Sequence, residues 1–205
     1  MLVMLVGPLL LFNVWFTSVL QQRHGVAEAF DTGQAEIDRV TGELLIDVWT
    51  DGSFEAALEP GQPLLDERER SHMRDVSLLV RILGAIVLLS AVIAGVTGAM
   101  LRGERRRAGR ILLVAGGLVG TIAILLAGTF AIAFEPAFVV FHEIFFPPGT
   151  WLFEEGSNLI TLFPQPFWFD AALAAGATII LAAILVSLLG LNRWRGGPRD
   201  RPAGP

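Results

Sequence analysis

Residues 76–134 read VSLLVRILGAIVLLSAVIAGVTGAMLRGERRRAGRILLVAGGLVGTIAILLAGTFAIAF. Two apolar blocks lie in this stretch: Val76–Leu101, with the single charge Arg81, and Ile111–Phe134, with none. Between them a short loop carries Arg102, Arg105, Arg106, Arg107 and Arg110. A helix needs about 20 apolar residues to cross the hydrocarbon core of a bilayer. Each block is long enough, so the stretch predicts a transmembrane hairpin. Two further blocks qualify on either side. Leu2–Leu20 is nearly uncharged, and Phe167–Leu191 carries only Asp170, at its start. The first block lacks the basic leader and the Ala-x-Ala pattern of a cleaved signal peptide, so it is read as a retained span. The whole chain agrees with this reading, being 53% hydrophobic with a mean hydropathy of +0.60. The expected fold class is an all-α integral membrane protein with a four-helix transmembrane bundle. Residues 1–195 form its single domain, with spans at about 2–20, 76–101, 111–134 and 167–191.

The arginines set the expected orientation. Short loops rich in basic residues stay in the cytoplasm. The 102–110 loop and the run Arg193, Arg195, Arg199, Arg201 after the fourth block therefore face inward, as does the N-terminus. Residues 196–205 read as a disordered cytoplasmic tail. Outer loops 21–75 and 135–166 then form an extracytoplasmic cap. The first holds thirteen acidic and five basic residues, the second four acidic and no basic ones. That acidic face argues against nucleic acid as a partner, while the inner arginines suit anionic lipid headgroups. Ile37, Val40, Leu44, Leu45 and Val48 recur at helical spacing between Asp31/Thr32 and Gly52, which predicts an amphipathic helix over the span ends. In the second loop Pro136 and Pro147–Pro148 bound a short aromatic helix.

Chemistry is confined to few residues. The chain has no Cys, Tyr or Lys, so no disulfide and no thiol nucleophile is available. Histidine is then the main candidate for proton transfer near neutral pH. His72 and His142 each lie just beyond the outer end of an apolar block. Glu69, His72, Asp75 and Val76 share one helical face, and a carboxylate one turn away can orient an imidazole. Phe138, Phe141, His142 and Phe145 line one face of the second helix, where burial would keep the imidazole neutral. Glu143 adds a second neighbouring carboxylate. His24 has no carboxylate at helical spacing and reads as an interfacial anchor. Asn13, inside the first block, reads as a helix–helix hydrogen-bond partner. Glu69, His72, Asp75, His142 and Glu143 also make a conceivable zinc set, but no His-Glu-x-x-His pattern is present. Neither a metal nor a cofactor is expected.

Four motifs occur in order: Glu69-Arg-Ser-His72-Met73-Arg-Asp75-Val76; Phe141-His142-Glu-Ile-Phe145-Phe146; Trp151; and Asn158-Leu-Ile160-Thr-Leu-Phe163-Pro164-Gln-Pro-Phe167. From about residue 1 to 191 the chain resembles the four-span bacterial integral membrane family that includes lipoprotein intramolecular transacylase. The resemblance implies a multi-pass protein of the bacterial cytoplasmic membrane with its active site on the extracytoplasmic face. It implies an acyltransferase that moves the sn-2 acyl chain of a diacylglyceryl lipoprotein to the α-amine of its N-terminal cysteine. The family's essential histidines would fall on His72 and His142, with Glu69, Asp75 and Glu143 as orienting groups. Phe141, Phe145, Trp151 and Asn158 would contact the substrate. One assignment makes His72 the base, oriented by Glu69 or Asp75, and His142 the acid for the leaving oxygen; the residues equally allow the reverse. A different outer-leaflet lipid hydrolase or acyltransferase, or a non-enzymatic membrane scaffold, remains compatible with the same residues. The sequence does not give an oligomeric state.

Overall fold

The computed structural model describes residues 13–196. Residues 1–12 and 197–205, which hold the start of the first expected span and nearly all of the expected tail, lie outside the described residues. The rest is helical: α1 (Val14–Arg23), α2 (Val26–Ala29), α3 (Gln34–Thr50), α4 (Glu67–Met100), α5 (Arg105–Ile132), α6 (Phe134–Phe145), α7 (Asn158–Leu162) and α8 (Gln165–Gly196). Three of these, α4, α5 and α8, are long and apolar enough to cross a membrane. Of the first expected span, only the part from Asn13 onward is described. There Asn13 caps its own helix by accepting from the Phe16 amide at 3.3 Å, which corrects the expected helix–helix role.

The spanning helices present apolar side chains outward. Leu88, Leu125 and Leu185 are each more than 60% exposed, as lipid-facing residues must be. Lipid tails are as apolar as leucine, so contact between spans relies on close backbone approach. Between α5 and α8 that approach is made by glycine. A Cβ on Gly190 would stand 2.5 Å from the Leu113 nitrogen and 2.8 Å from the Gly109 carbonyl oxygen.

The cap packs differently, around a buried core. Ile37, Val40, Leu44 and Val48 of α3 are fully buried together with Phe54, Leu65, Met73 and Leu162, so the predicted amphipathic face is the core face. The helix starts after Gly33 and not at Asp31/Thr32. Polar contacts fasten this core to the spans. Buried Gln21 of α1 donates to the Thr41 hydroxyl (3.0 Å) and to the Leu162 carbonyl (3.1 Å). Ser77 of α4 donates to the Val48 carbonyl at 2.8 Å, and Arg81 pairs with Asp51 at 3.0 Å.

Helix α4 has 34 residues, or about 51 Å at 1.5 Å per residue, against a hydrocarbon core of about 30 Å. Its charged first turns, Glu67 to Asp75, must therefore rise out of the membrane into the cap. They begin with a capping box. The Asp66 side chain accepts from the Glu69 amide and the Glu69 side chain accepts from the Asp66 amide, both at 2.8 Å, which satisfies two otherwise orphaned donors. His72 sits one turn further on, at the base of the cap.

Candidate active site

The two histidines expected from sequence meet. Their ring centroids are 6.2 Å apart and the planes lie within 26° of parallel. His72 comes from the first turns of α4 and His142 from the last turn of α6. An aromatic shell closes around them. Phe146 stands 4.8 Å from His72 and 5.4 Å from His142. Phe153 packs on His72 at 5.6 Å. Trp151 and Phe138 flank His142 at 4.8 and 4.1 Å, and Phe141 lies edge-on to it at 5.4 Å. Phe145 touches Phe141 at 4.9 Å, and both are substantially exposed at the rim.

Phe146, present in the second motif, and Phe153 were not among the expected site residues, although Phe146 touches both rings. Helical register puts Phe146 one step past Phe145, on a different face. It reaches the pair because α6 ends there, with Phe146 extended (φ −126, ψ 149). The residue before a proline is pushed out of the helical region, and Pro147 follows. The Pro147–Pro148 signal was legible as a helix stop; where it would send the Phe146 ring was not.

The carboxylates are arranged otherwise than expected. Glu69 is buried, and its two oxygens are occupied. Oε2 accepts from the Asp66 amide, while Oε1 accepts from the Ser157 hydroxyl at 2.7 Å and the Leu159 amide at 2.8 Å. No hydrogen bond joins it to His72. Its place is that of a latch between the start of α4 and the start of α7. Arg68 holds the same wall, donating to the Leu152 carbonyl at 3.1 Å with its guanidinium 6.0 Å from the Phe153 ring. Asn158 adds a bond to the Leu64 carbonyl at 2.7 Å. Asp75 is half-buried and Glu143 exposed, and neither has a hydrogen bond or ion pair among the described residues. None of the three expected carboxylates therefore bonds to an imidazole of the pair. Among the described residues no three His, Asp or Glu side chains gather as a metal set.

With no carboxylate bonded to either ring, burial governs the electrostatics. Desolvation, with a smaller contribution from His142, pushes His72 down to about 4. Burial also lowers His142, opposed by its bond to the Phe138 carbonyl. Both rings are thus neutral at pH 7. The His142 Nδ1–Phe138 carbonyl distance is 2.8 Å. A carbonyl only accepts, so Nδ1 carries the proton and Nε2 presents a lone pair. That makes His142 a base with a fixed tautomer. Two polar atoms in this shell are buried without any partner, His72 Nδ1 and Trp151 Nε1.

His24, read as a lone anchor, has a carboxylate after all. Its Nε2 lies 2.9 Å from Asp170 Oδ2, which also receives Arg23 at 3.3 Å. The partner sits 146 positions away at the start of α8, beyond any local spacing rule.

Comparison with known proteins identifies the family and the fold. The model of the family described as lipoprotein intramolecular transacylase Lit matches residues 1–168. An uncharacterised protein of Aquifex aeolicus is 31% identical over 139 residues, covering 66% of this chain and 61% of that protein. The chain thus spans under two thirds of that relative's length. Among solved structures, the membrane integral lipoprotein intramolecular transacylase of Bacillus cereus superposes with a TM-score of 0.83 at 22% identity, over 95% of this chain and 89% of that one. A form of that protein with one histidine replaced by arginine matches with a TM-score of 0.76 over 95% and 85% of the two chains, also at 22% identity. At that identity the likeness establishes the shared membrane-integral, all-helical fold.

Proposed function

We propose, from the premise that this chain belongs to the lipoprotein intramolecular transacylase family, that it moves an ester-linked acyl chain of a diacylglyceryl lipoprotein onto the α-amine of the lipoprotein's N-terminal cysteine. The reaction takes place at the outer leaflet of a bacterial cytoplasmic membrane. The chain crosses four times, with the arginine-rich loop and both ends inside and the cap outside. The observation that carries this reading is the meeting of two neutral imidazoles, 6.2 Å apart, inside an aromatic shell at the base of the cap.

The chemistry follows from those rings. The substrate's amine is the nucleophile, so the absence of Cys and the lack of an activated Ser are no obstacle. His142 Nε2, its tautomer fixed by Phe138, takes a proton from the amine as nitrogen attacks the ester carbonyl. The C–O bond to the glyceryl group then breaks. The proton passes through the imidazole pair, and His72 delivers it to the departing glyceryl oxygen. One ester is lost, one amide and one hydroxyl are formed, and the total acyl content is unchanged. Holding amine and ester on one molecule supplies proximity that a two-molecule reaction lacks. The dry shell keeps water from competing for the ester. Phe141 and Phe145, half-open at the rim, suit the acyl chain, and Trp151 and Asn158 complete the proposed contacts.

Mass spectrometry of a diacylated lipoprotein incubated with the purified chain tests this. The expected product carries one acyl chain on nitrogen at unchanged total mass. Release of free fatty acid would instead make the protein a lipid hydrolase, and an unaltered substrate would leave a scaffold.

A further inference from the structure

The tetrahedral intermediate of this reaction bears a negative oxygen, and an acyl-transfer site needs a donor aimed at it. The usual source is a run of backbone amides. Here two of the amides beside the pair are taken. The Phe146 amide is already bonded to the His142 carbonyl at 2.9 Å and the Thr150 amide to the Pro147 carbonyl at 3.3 Å. Pro147 and Pro148 have no N–H.

One side chain fills the gap. Trp151 stacks on His142 at 4.8 Å, and its Nε1 is buried with no acceptor. An indole N–H only donates. Burying such a donor unpaired forfeits its hydration without return, and native proteins rarely leave one without a reason. The second buried atom without a partner, His72 Nδ1, belongs to the ring facing His142. Among the described residues Trp151 Nε1 has no acceptor, and the acyl ester brings one: its carbonyl oxygen, which gains charge as the amine attacks.

We infer that Trp151 donates its Nε1–H to the carbonyl oxygen of the acyl group being transferred, and that this bond strengthens as the oxygen becomes an oxyanion. The inference rests on the proposed transacylation. In the step it serves, the amine nitrogen bonds to the ester carbon and the carbonyl π pair moves onto oxygen. The indole hydrogen bond holds that charge until the C–O bond to glyceryl breaks and the carbonyl reforms. Trp151 keeps its own proton throughout.

The test is turnover of a synthetic diacylglyceryl-cysteine lipopeptide by the full chain in detergent, for wild type and Trp151→Phe. Loss of a single oxyanion donor is expected to lower kcat about a hundredfold, with KM within about threefold, because the bond matters most after binding. The thermal midpoint should stay level or rise, since a phenyl ring has no donor to leave unpaired. A packing role would instead lower the midpoint, and kcat would hold or fall with it. Either of those results overturns the inference. Replacing Trp151 by benzothienylalanine, which keeps the bicyclic shape and puts sulfur where the N–H was, covers the case in which the phenyl variant misfolds. It should reproduce the kcat loss, and wild-type kcat in that protein refutes the donor role. If the wild type yields no N-acylated peptide, the transacylation reading fails and the donor falls with it; if the wild type converts and both variants match it, only the donor fails.

Discussion

The cap carries imidazoles at two places, and their surroundings are opposite. His24, where α1 ends, lies against Asp170 and beside Arg23 in a partly wet ion-pair cluster. His72 and His142 lie against each other and five aromatic rings, with no carboxylate bonded to either. The carboxylate beside His24 fastens two helices together. An apolar shell favours the neutral form and keeps a lone pair available. The proposed division of roles, a histidine that holds structure and a pair that moves protons, rests on that difference.

The sharpest way to break this contrast is substitution. His142→Ala and His72→Ala should each lower transacylation at least about a hundredfold, the lower end for a general acid or base. His24→Ala should change it less than about threefold. Turnover of the lipopeptide, normalised to folded protein, checks both. An equal loss in all three would erase the distinction.

Glu69→Ala sharpens it from the structural side. Removal strands the Asp66 and Leu159 amides and the Ser157 hydroxyl, each bonded to a buried carboxylate. Such bonds contribute about 1.5–3 kcal/mol apiece, so a loss of about 3 kcal/mol or more is expected in thermal or denaturant unfolding in detergent. Activity at low temperature should survive better in Glu69→Ala than in His142→Ala. A stable Glu69→Ala protein that is nonetheless inactive would give the carboxylate a chemical role.

Acid should separate the two sites again. His72 falls from an ordinary 6.5 to about 4 on folding. Above pH 6.5 the ring is neutral in both states and adds no pH dependence. As pH drops from 6.5 toward 4, the unfolded chain takes up the proton first, so stability falls, by up to about 3 kcal/mol from this ring. Melting curves of wild type and His72→Gln across that window should diverge, with the variant losing less on acidification. Parallel curves would mean that the ring is not desolvated.

The smallest expected effect belongs to the wet site. Asp170→Asn removes the shared partner of exposed Arg23 and mostly buried His24 and should cost about 1 kcal/mol, with turnover unchanged. A larger stability loss would show that this cluster is a major tie between α1 and the start of α8.

Much of this was legible in the chain itself. The apolar blocks, the arginine loop, the core face of α3 and the two catalytic candidates follow from local pattern. The reason is physical: lipid solvates each spanning helix separately, so a span announces itself in its own composition, and a helix face is written in three- and four-residue steps. Local pattern misled where it offered a partner close in sequence. Glu69 stands one turn from His72 but turns to Ser157 and Leu159, and His24 has no nearby carboxylate but finds Asp170. Those pairings span 88 to 146 positions. The extended backbone at Phe146 follows from Pro147, but the contact of its ring with both imidazoles likewise depends on where the following wall is fastened. The sequence determined which segments are long and apolar enough to cross a membrane and which side chains are candidates to move a proton. Only the tertiary structure decided which carboxylates serve as latches and which rings keep the pair dry, because those choices are made by packing between segments far apart in the chain.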